Sequence, residues 1–382
     1  MRTWIDIDLD TIIANYQTAC SLTEARITCV LKANAYGHGM LRVAEALQGA
    51  GCRSFAVSCG REALLLRRVG IGGEVLVMAP AEPEELEALV REEITLTACG
   101  TEDLTAIDRA AEQAGKTAVV HLKLDTGFHR LGFVCGEDTV RRLAECIPVL
   151  PHLRAEGVYS HLGLVTRERD EAQHRAFCDT VGALRRAGLA LPDTHLCDSI
   201  GLVRYPDWHM SRCRVGAFLF GVRPSGSDGL PFTCREALAF RAKVSRVHEA
   251  PAGSVIGYDE AVTDRPLRVA TVCAGYGDGY PRCLSHGKGF VLIRGQRAPV
   301  LGLVCMDQLM ADVTDIPDCR AGDTATLLGG GIPYREACDW ANTNRNELLS
   351  LLSARPVRVY HRGGRAVTVL DSLLGTREDF AE

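Results

Sequence analysis

Two hydrophobic patterns divide the chain. Up to about residue 235, short apolar runs alternate with stretches whose apolar residues recur every three or four positions. Trp4-Ile5-Asp6-Ile7-Asp8-Leu9 alternates apolar and polar and predicts a half-buried strand. A helix over 10–19 follows, with Leu9, Ile12, Ile13 and Tyr16 on one face. Strands are then predicted at 27–31, 54–58, 74–78, 95–98, 118–124, 155–161, 194–197 and 215–221. Helices are predicted between them at 61–68, 83–92, 102–113, 138–146 and 168–187. Pro83 suits a first helical turn, and Gly70, Gly115 and Gly188 suit helix ends. Roughly eight β/α units predict a (β/α)8 barrel of the TIM type, with a doubly wound open sheet as the alternative.

Beyond residue 235 the helical period largely fades. Strand-like runs separated by Gly, Pro and Asp take over, at 239–248, 267–272, 289–293, 298–304, 310–313, 324–328, 357–360 and 366–369. Helices at 333–342 and 346–352 interrupt them. The prediction is an α/β chain in two parts: a barrel over 1–235 and a mostly antiparallel β domain over 236–382, with the first strand, 3–9, a candidate to join the second part. No low-complexity linker separates the parts, so they are expected to pack as one unit.

Composition changes little in this picture. The 382 residues are 47% hydrophobic and 24% charged, with a net charge of −5. That is enough apolar material for a large core, and it carries no basic excess of the kind that binds nucleic acid. No apolar run approaches the ~20 residues of a membrane helix, and Met1-Arg2-Thr3-Trp4 opens no signal peptide, so a cytoplasmic protein is expected. Sixteen cysteines are scattered without a C-x-x-C pair. Many, such as Cys29, Cys135, Cys273 and Cys305, sit in apolar contexts and read as buried free thiols. No cluster has metal-ligand spacing, and no metal is expected.

Candidate chemistry sits at the predicted carboxyl ends of the strands, where barrels of this type build their sites. Lys32 and Tyr36 follow the first barrel strand, in Val30-Leu31-Lys32-Ala33-Asn34-Ala35-Tyr36-Gly37-His38-Gly39. A lysine there has an apolar stem environment that lowers its pKa and suits Schiff-base or proton-transfer chemistry. Lys123 to Arg130 follows the fifth strand. His161 ends the sixth and Asp198-Ser199 the seventh. Arg214 enters the eighth, before Gly216-Ala217. Singly, each has a bland reading: Lys32 a surface lysine before a turn, His161 a satisfied core histidine, Ser199 a helix cap. Their shared placement argues for a site.

The 30–39 string closely resembles the pyridoxal-phosphate lysine motif of the alanine racemase family. Residues 123–133, K-L-D-T-G-F-H-R-L-G-F, resemble that family's K-x-D-T-G-M-x-R-L-G-F. In the second part, V-I-G-Y (255–258), G-Y-G-D-G-Y-P-R (275–282) and C-M-D (305–307) resemble further family segments. The resemblance implies a pyridoxal 5'-phosphate enzyme interconverting L- and D-alanine, a product used for peptidoglycan precursors. It implies that Lys32 holds the cofactor and serves as one base, with Tyr258 as the other. Arg130 would contact cofactor and substrate carboxylate, and a carbamylated Lys123 would orient Arg130. His161 would pack on the ring and Arg214 would face its nitrogen. Tyr36, Ser199 and the amides of Gly216 and Ala217 would hold the phosphate. Tyr276 would narrow the substrate entrance, and the Met306 amide would hold the substrate carboxylate. A homodimer with shared sites is implied, Lys32 of one chain meeting Tyr258 of the other.

Three residues depart from the family pattern: Asp198 where asparagine is usual, Leu303 where many members have arginine, and Ala354 where some carry a tyrosine that crowds the substrate. They keep open a serine or broad-spectrum racemase, similar to the catalytic part of glycopeptide-resistance serine racemases. A non-catalytic pyridoxal-phosphate carrier of barrel fold is the rival from another class. It predicts a single domain.

Overall fold

A computed structural model describes residues 1–227, 229–258 and 262–378. Strand β1 (Thr3–Asp8) stays out of the barrel. It passes the chain to a helix, Leu9–Ser21, whose N-cap Asp8 accepts a hydrogen bond from the Thr11 amide. The barrel strands are β2 (Arg26–Val30), β3 (Ser54–Val57), β4 (Glu74–Val77), β5 (Leu96–Ala98) and β6 (Ala118–Asp125). A two-residue β7 (Phe133–Val134) flanks β6, and β8 (Leu153–Tyr159), β9 (Asp193–His195) and β10 (Arg212–Val215) complete the set. The eight run parallel in two arcs, β10-β2-β3-β4 and β5-β6-β8-β9. A parallel bridge, Leu76 to Thr95, joins the arcs on one side. On the other, the Ser211 amide donates to Thr194 O (3.1 Å) and the Arg214 amide to Cys197 O (3.0 Å), which closes the ring.

The amino-terminal floor of the barrel is an ion network. Arg212, fully buried at the start of β10, bonds Glu74 Oε2 at the start of β4 (2.7 Å) and Asp193 at the start of β9. Arg26 adds a second guanidinium to Asp193 at 3.0 Å. Glu74, His121 and Asp193 lie within metal-ligating reach of one another, but the Arg212 guanidinium already pairs both carboxylates. Removing one partner from such a network would leave an uncompensated buried charge, which is strongly destabilising.

The second domain is a ten-stranded sheet formed by β11 (Leu238–Ala250), β12 (Leu267–Val272), β13 (Phe290–Ile293), β14 (Gln296–Leu301), β15 (Leu309–Asp312), β16 (Thr324–Gly329), β17 (Val357–Arg362), β18 (Arg365–Asp371) and β19 (Gly375–Glu378), together with β1. β1 lies antiparallel to β11 (Ile5 opposite Phe240) and parallel to β17 (Ile5 opposite Arg358). Its alternation buries Ile5 and Ile7 completely. The other pairings of this sheet among the described residues are antiparallel.

Several elements differ from the sequence reading, two of them in the barrel's core. The eighth barrel strand lies at Arg212–Val215, earlier than 215–221, and Ala217–Phe220 forms a 3-10 turn after Gly216. Phe218, Leu219 and Phe220 are buried by tertiary packing, and an apolar run does not by itself tell a strand from a buried turn. A helix, Met40–Gly49, has no counterpart in that reading; five of its ten residues are buried, and glycines flank it. Of the cysteines singled out, Cys29 and Cys273 are buried while Cys135 and Cys305 are partly exposed; all sixteen are free thiols.

Candidate active site

The lysine leaves β2 on a strained turn. Ala33, Asn34, Ala35 and Tyr36 take φ of +52°, +55°, +54° and +51°, four successive non-glycine residues in the left-handed region. Each costs roughly 1–2 kcal/mol, so surrounding bonds must hold the turn. The Ala33 amide donates to Glu62 Oε1 (2.8 Å), the Met40 amide to Asn34 Oδ1 (2.8 Å), and Arg358 Nε, from the second domain, to Gly37 O (3.0 Å). Gly37 itself has φ +81°, and an added Cβ would lie 2.2 Å from Leu349 O. His38 is fully buried, stacks on Phe220 at 4.4 Å, and bonds Tyr36 O through Nδ1 (3.0 Å). Burial pushes its pKa down to about 4, so it packs as a neutral ring.

This turn opens into a cavity of about 560 Å³ at the carboxyl end of the barrel. Lys32, Tyr36, Lys123, Arg130, His161, Ser199, Arg214, Gly216 and Ala217 all line it, as does Asp198. Positive charge dominates its chemistry. Burial first, then the nearby Arg130, lowers the pKa of Lys32. Burial and Arg214 bring Lys123 down to about 8, and its Nζ donates to Leu124 O at 2.8 Å. His161 is pushed down to about 3, by burial and then by Arg214, Arg130, Lys123 and Lys32. It is a neutral imidazole, 5.3 Å from the Phe128 ring, over which the Arg130 guanidinium sits at 4.5 Å.

Arg214 is held from behind. Its guanidinium donates to Ser160 O (2.7 Å), Leu196 O (3.0 Å), His195 O (3.0 Å) and His195 Nδ1 (2.7 Å). Arginine only donates, so His195 Nδ1 must accept and its proton must sit on Nε2. That nitrogen lies 2.9 Å from His121 Nδ1, which therefore accepts in turn and leaves His121 Nε2–H facing Glu74 Oε1 at 3.8 Å. Burial, then neighbouring arginines, keeps both imidazoles neutral, His121 with a pKa near about 4. One polar line thus crosses the barrel from floor to cavity.

Just past the end of β10, the Gly216 amide donates to Ser199 Oγ at 3.1 Å, and a Cβ on Gly216 would lie 2.5 Å from Tyr36 Oη. The missing side chain keeps this corner open. Asp198 caps the short helix Ser199–Arg204, its carboxylate accepting from the Ile200 (2.8 Å) and Gly201 (3.0 Å) amides, which is a local reason for an acid at this position.

The second-domain residues stand apart from this cluster. Tyr258 is 80% exposed, Met306 53% and Tyr276 43%, and none lines the cavity of the single chain. Leu303 is partly exposed and Ala354 exposed; neither lines it.

The family models for the alanine racemase N-terminal domain and C-terminal domain match residues 7–224 and 237–360. The chain belongs to the alanine racemase family. The alanine racemase of Desulfosudis oleivorans is 34% identical over 94% of this chain and 97% of its own. That of Carboxydothermus hydrogenoformans is 35% identical over 94% and 99%. Among solved structures, an alanine racemase from Bartonella henselae with covalently bound pyridoxal phosphate superposes with a TM-score of 0.85 at 27% identity, covering 94% of this chain and 100% of that one. The family's two-domain architecture rules out the single-domain barrel that a carrier predicts. The sequence reading missed Asn344, Arg345 and Asn346, which line the cavity from the second domain. No motif marks them; they reach the site because the helix Arg345–Ser350 packs on the Lys32 turn.

Proposed function

We propose that this chain is a pyridoxal 5'-phosphate-dependent alanine racemase, acting as a cytoplasmic homodimer. The observation that carries the reading is the convergence, in one cavity, of Lys32, Arg214 and the open Tyr36–Ser199–Gly216 corner in a chain of this family. No helix among the described residues is long and apolar enough to cross a membrane. The functional units are taken as 1–235 and 236–382, with residues 3–9 lent to the second.

The residues fit the cofactor. A cavity of about 560 Å³ suits a ligand of this size. Lys32 would hold it through Nζ, and its pKa, lowered by burial and then by Arg130, favours the neutral amine that such a bond needs. Tyr36, Ser199 and the amides of Gly216 and Ala217 would hold the phosphate. Arg214 would face the ring nitrogen as a donor, so that nitrogen stays an acceptor and the ring a restrained electron sink. When bound, the cofactor supplies the electron sink that acidifies Cα–H of the amino acid.

The chain's own groups then handle the proton. Lys32 serves one face of Cα and the partner's Tyr258 the other; one removes a proton, the other returns one, and configuration inverts. Arg130 and the Met306 amide orient the substrate carboxylate. Tyr276 narrows the entrance, and His161 packs on the ring as a neutral imidazole. A carbamate on Lys123 would turn a cation into an acceptor for Arg130. The high exposure of Tyr258, Tyr276 and Met306 supports a site completed by a second subunit. Ala354 lies outside the single-chain cavity, as Tyr258, Tyr276 and Met306 do.

The test is direct. The purified chain, loaded with pyridoxal phosphate and given L-alanine, is expected to produce D-alanine until the two are nearly equal by chiral chromatography. A loaded chain that forms no D-alanine overturns the proposal.

A further inference from the structure

The glutamate that steadies the lysine turn reaches further than that turn. Glu62 is the third residue of the helix Gly60–Arg68, which follows β3 after Ser58 and the N-cap Cys59. A glutamate at this position commonly turns back to the backbone ahead of its own helix. One oxygen does so: Glu62 Oε2 accepts from the Ser58 amide (2.9 Å). The other leaves the helix altogether, and Oε1 accepts from the Ala33 amide (2.8 Å) on the loop after β2. Within β2 and β3 the chains are joined by backbone, up to the Leu31 amide on Ala56 O (2.8 Å). Past that bond the carboxylate of Glu62 links the two strand ends.

Both ends of this link belong to the site. Ser58 lines the cavity that holds Lys32. Ala33 follows Lys32 directly and is the first of the four left-handed residues, so its amide stands where the strained turn begins. Two amides on different loops need two acceptor oxygens, and an ionised carboxylate offers both from one side chain. A glutamine would have to turn its NH2 toward one of them. The same carboxylate acts on the lysine charge. Burial, Arg130 and Arg214 disfavour protonated Lys32, while Glu62 and then Asp198 favour it. His161, which also feels Lys32, is neutral.

We propose that Glu62 is a positioning residue for Lys32, one carboxylate that ties the loops after β2 and β3 and places a negative charge beside the turn that carries the lysine. The proposal rests on the pyridoxal-phosphate reading above, in which the Lys32 amine adds to the cofactor's aldehyde carbon, the carbonyl oxygen leaves as water, and a C=N bond remains.

The experiment follows covalent capture of pyridoxal phosphate by the cofactor-stripped full chain across a range of pH, with no use of turnover. Borohydride reduction and peptide mass spectrometry locate the bond, and circular dichroism reports folding. The capture rate is expected to rise with pH as the amine loses its proton, to a plateau set by how well Nζ is aimed. Glu62→Gln is expected to lower the plateau about tenfold, the scale of one lost charged hydrogen bond. It is also expected to move the midpoint to lower pH, because a charge that held the proton is gone. Glu62→Asp keeps the charge on a shorter arm and serves if the glutamine variant does not fold. It is expected to lower the plateau while its midpoint stays closer to that of the wild type. A plateau unchanged in Glu62→Gln, or in Glu62→Asp where that variant stands in for it, overturns the assignment. So does a lower plateau in Glu62→Gln with an unmoved midpoint, the result for a prop that acts on folding alone. A wild-type chain in which pyridoxal phosphate is never found on Lys32 removes the cofactor reading itself, and this proposal with it.

Discussion

Lys32 and Tyr258 illustrate how differently two residues of one reaction are prepared. Lys32 is tuned inside its own chain, by burial and by Arg130. Tyr258 stands on the surface behind Gly257, whose φ of +71° turns the backbone at the tip. If they serve opposite faces of Cα, their loss must be felt in opposite directions. Tyr258→Phe is expected to slow Cα–H exchange from L-alanine by on the order of 10²-fold or more, while exchange from D-alanine, which depends on Lys32, persists. Proton exchange into each enantiomer, followed by NMR, checks this. Equal loss from both enantiomers would argue against separate roles.

Single elements act as clamps. The 276–278 turn and the 305–307 segment are tied by Arg355, which bonds Asp278 through Nε (2.7 Å) and Nη2 (2.7 Å) and Asp307 through Nη1 (2.6 Å). The amides of Tyr276 and Gly277 donate to Cys305 O (3.1 Å) and Met306 O (2.9 Å). Arg355→Ala is expected to raise KM for alanine roughly tenfold, with a smaller fall in kcat, because it loosens groups that orient substrate and leaves Lys32 untouched. Steady-state kinetics at equal cofactor loading give the split. Gly37 is a second clamp. Gly37→Ala combines a left-handed φ with a Cβ 2.2 Å from Leu349 O. It is expected to cost at least ~2 kcal/mol, read from the denaturant midpoint. The barrel floor is the third. Burial alone would raise the Asp193 carboxyl, but bonds from Arg212 and Ser211 and the charge of Arg26 hold it below the usual range. Its contribution to stability is therefore present above the unfolded-state pKa of about 3.9 and lost as pH falls through the lower folded value. Compared with Asp193→Asn, the wild-type chain is expected to lose stability more steeply below about pH 4 in denaturant unfolding followed by circular dichroism.

For the whole molecule, the barrel of one chain contains a lysine-centred cavity, while three residues of the proposed site point elsewhere on the surface. A shared site follows if two chains pair. Lys32→Ala and Tyr258→Ala, each inactive alone, are expected to regain activity when unfolded together and refolded, up to about a quarter of the wild-type level, since a mixed dimer holds one intact site of two. Activity and mass of the refolded mixture decide it. Demonstrated subunit exchange without recovered activity would exclude the shared site.

The two-part architecture was legible in the sequence because a helix and a strand bury different periodicities, 3.6 and 2. The switch near residue 235 records where one gives way to the other. The meeting of Lys32, Lys123, Arg130, His161, Ser199 and Arg214 in one cavity was also legible, since a barrel brings the carboxyl ends of its strands together whatever lies between. Other features depended on contacts far apart along the chain. β1 pairs with β11 and β17, more than two hundred residues away, and an alternating strand does not specify its partner. The left-handed turn at 33–36 contains alanine, asparagine and tyrosine, none of which demands φ above zero; distant bonds from Glu62 and Arg358 maintain it. Arg345 carries no motif, and its place on the cavity wall comes from a helix packed across the domain boundary. Local pattern determines which surface each element must bury. Only the folded chain decides what meets it there, because burial free energy has no preferred partner until shape and hydrogen bonding select one.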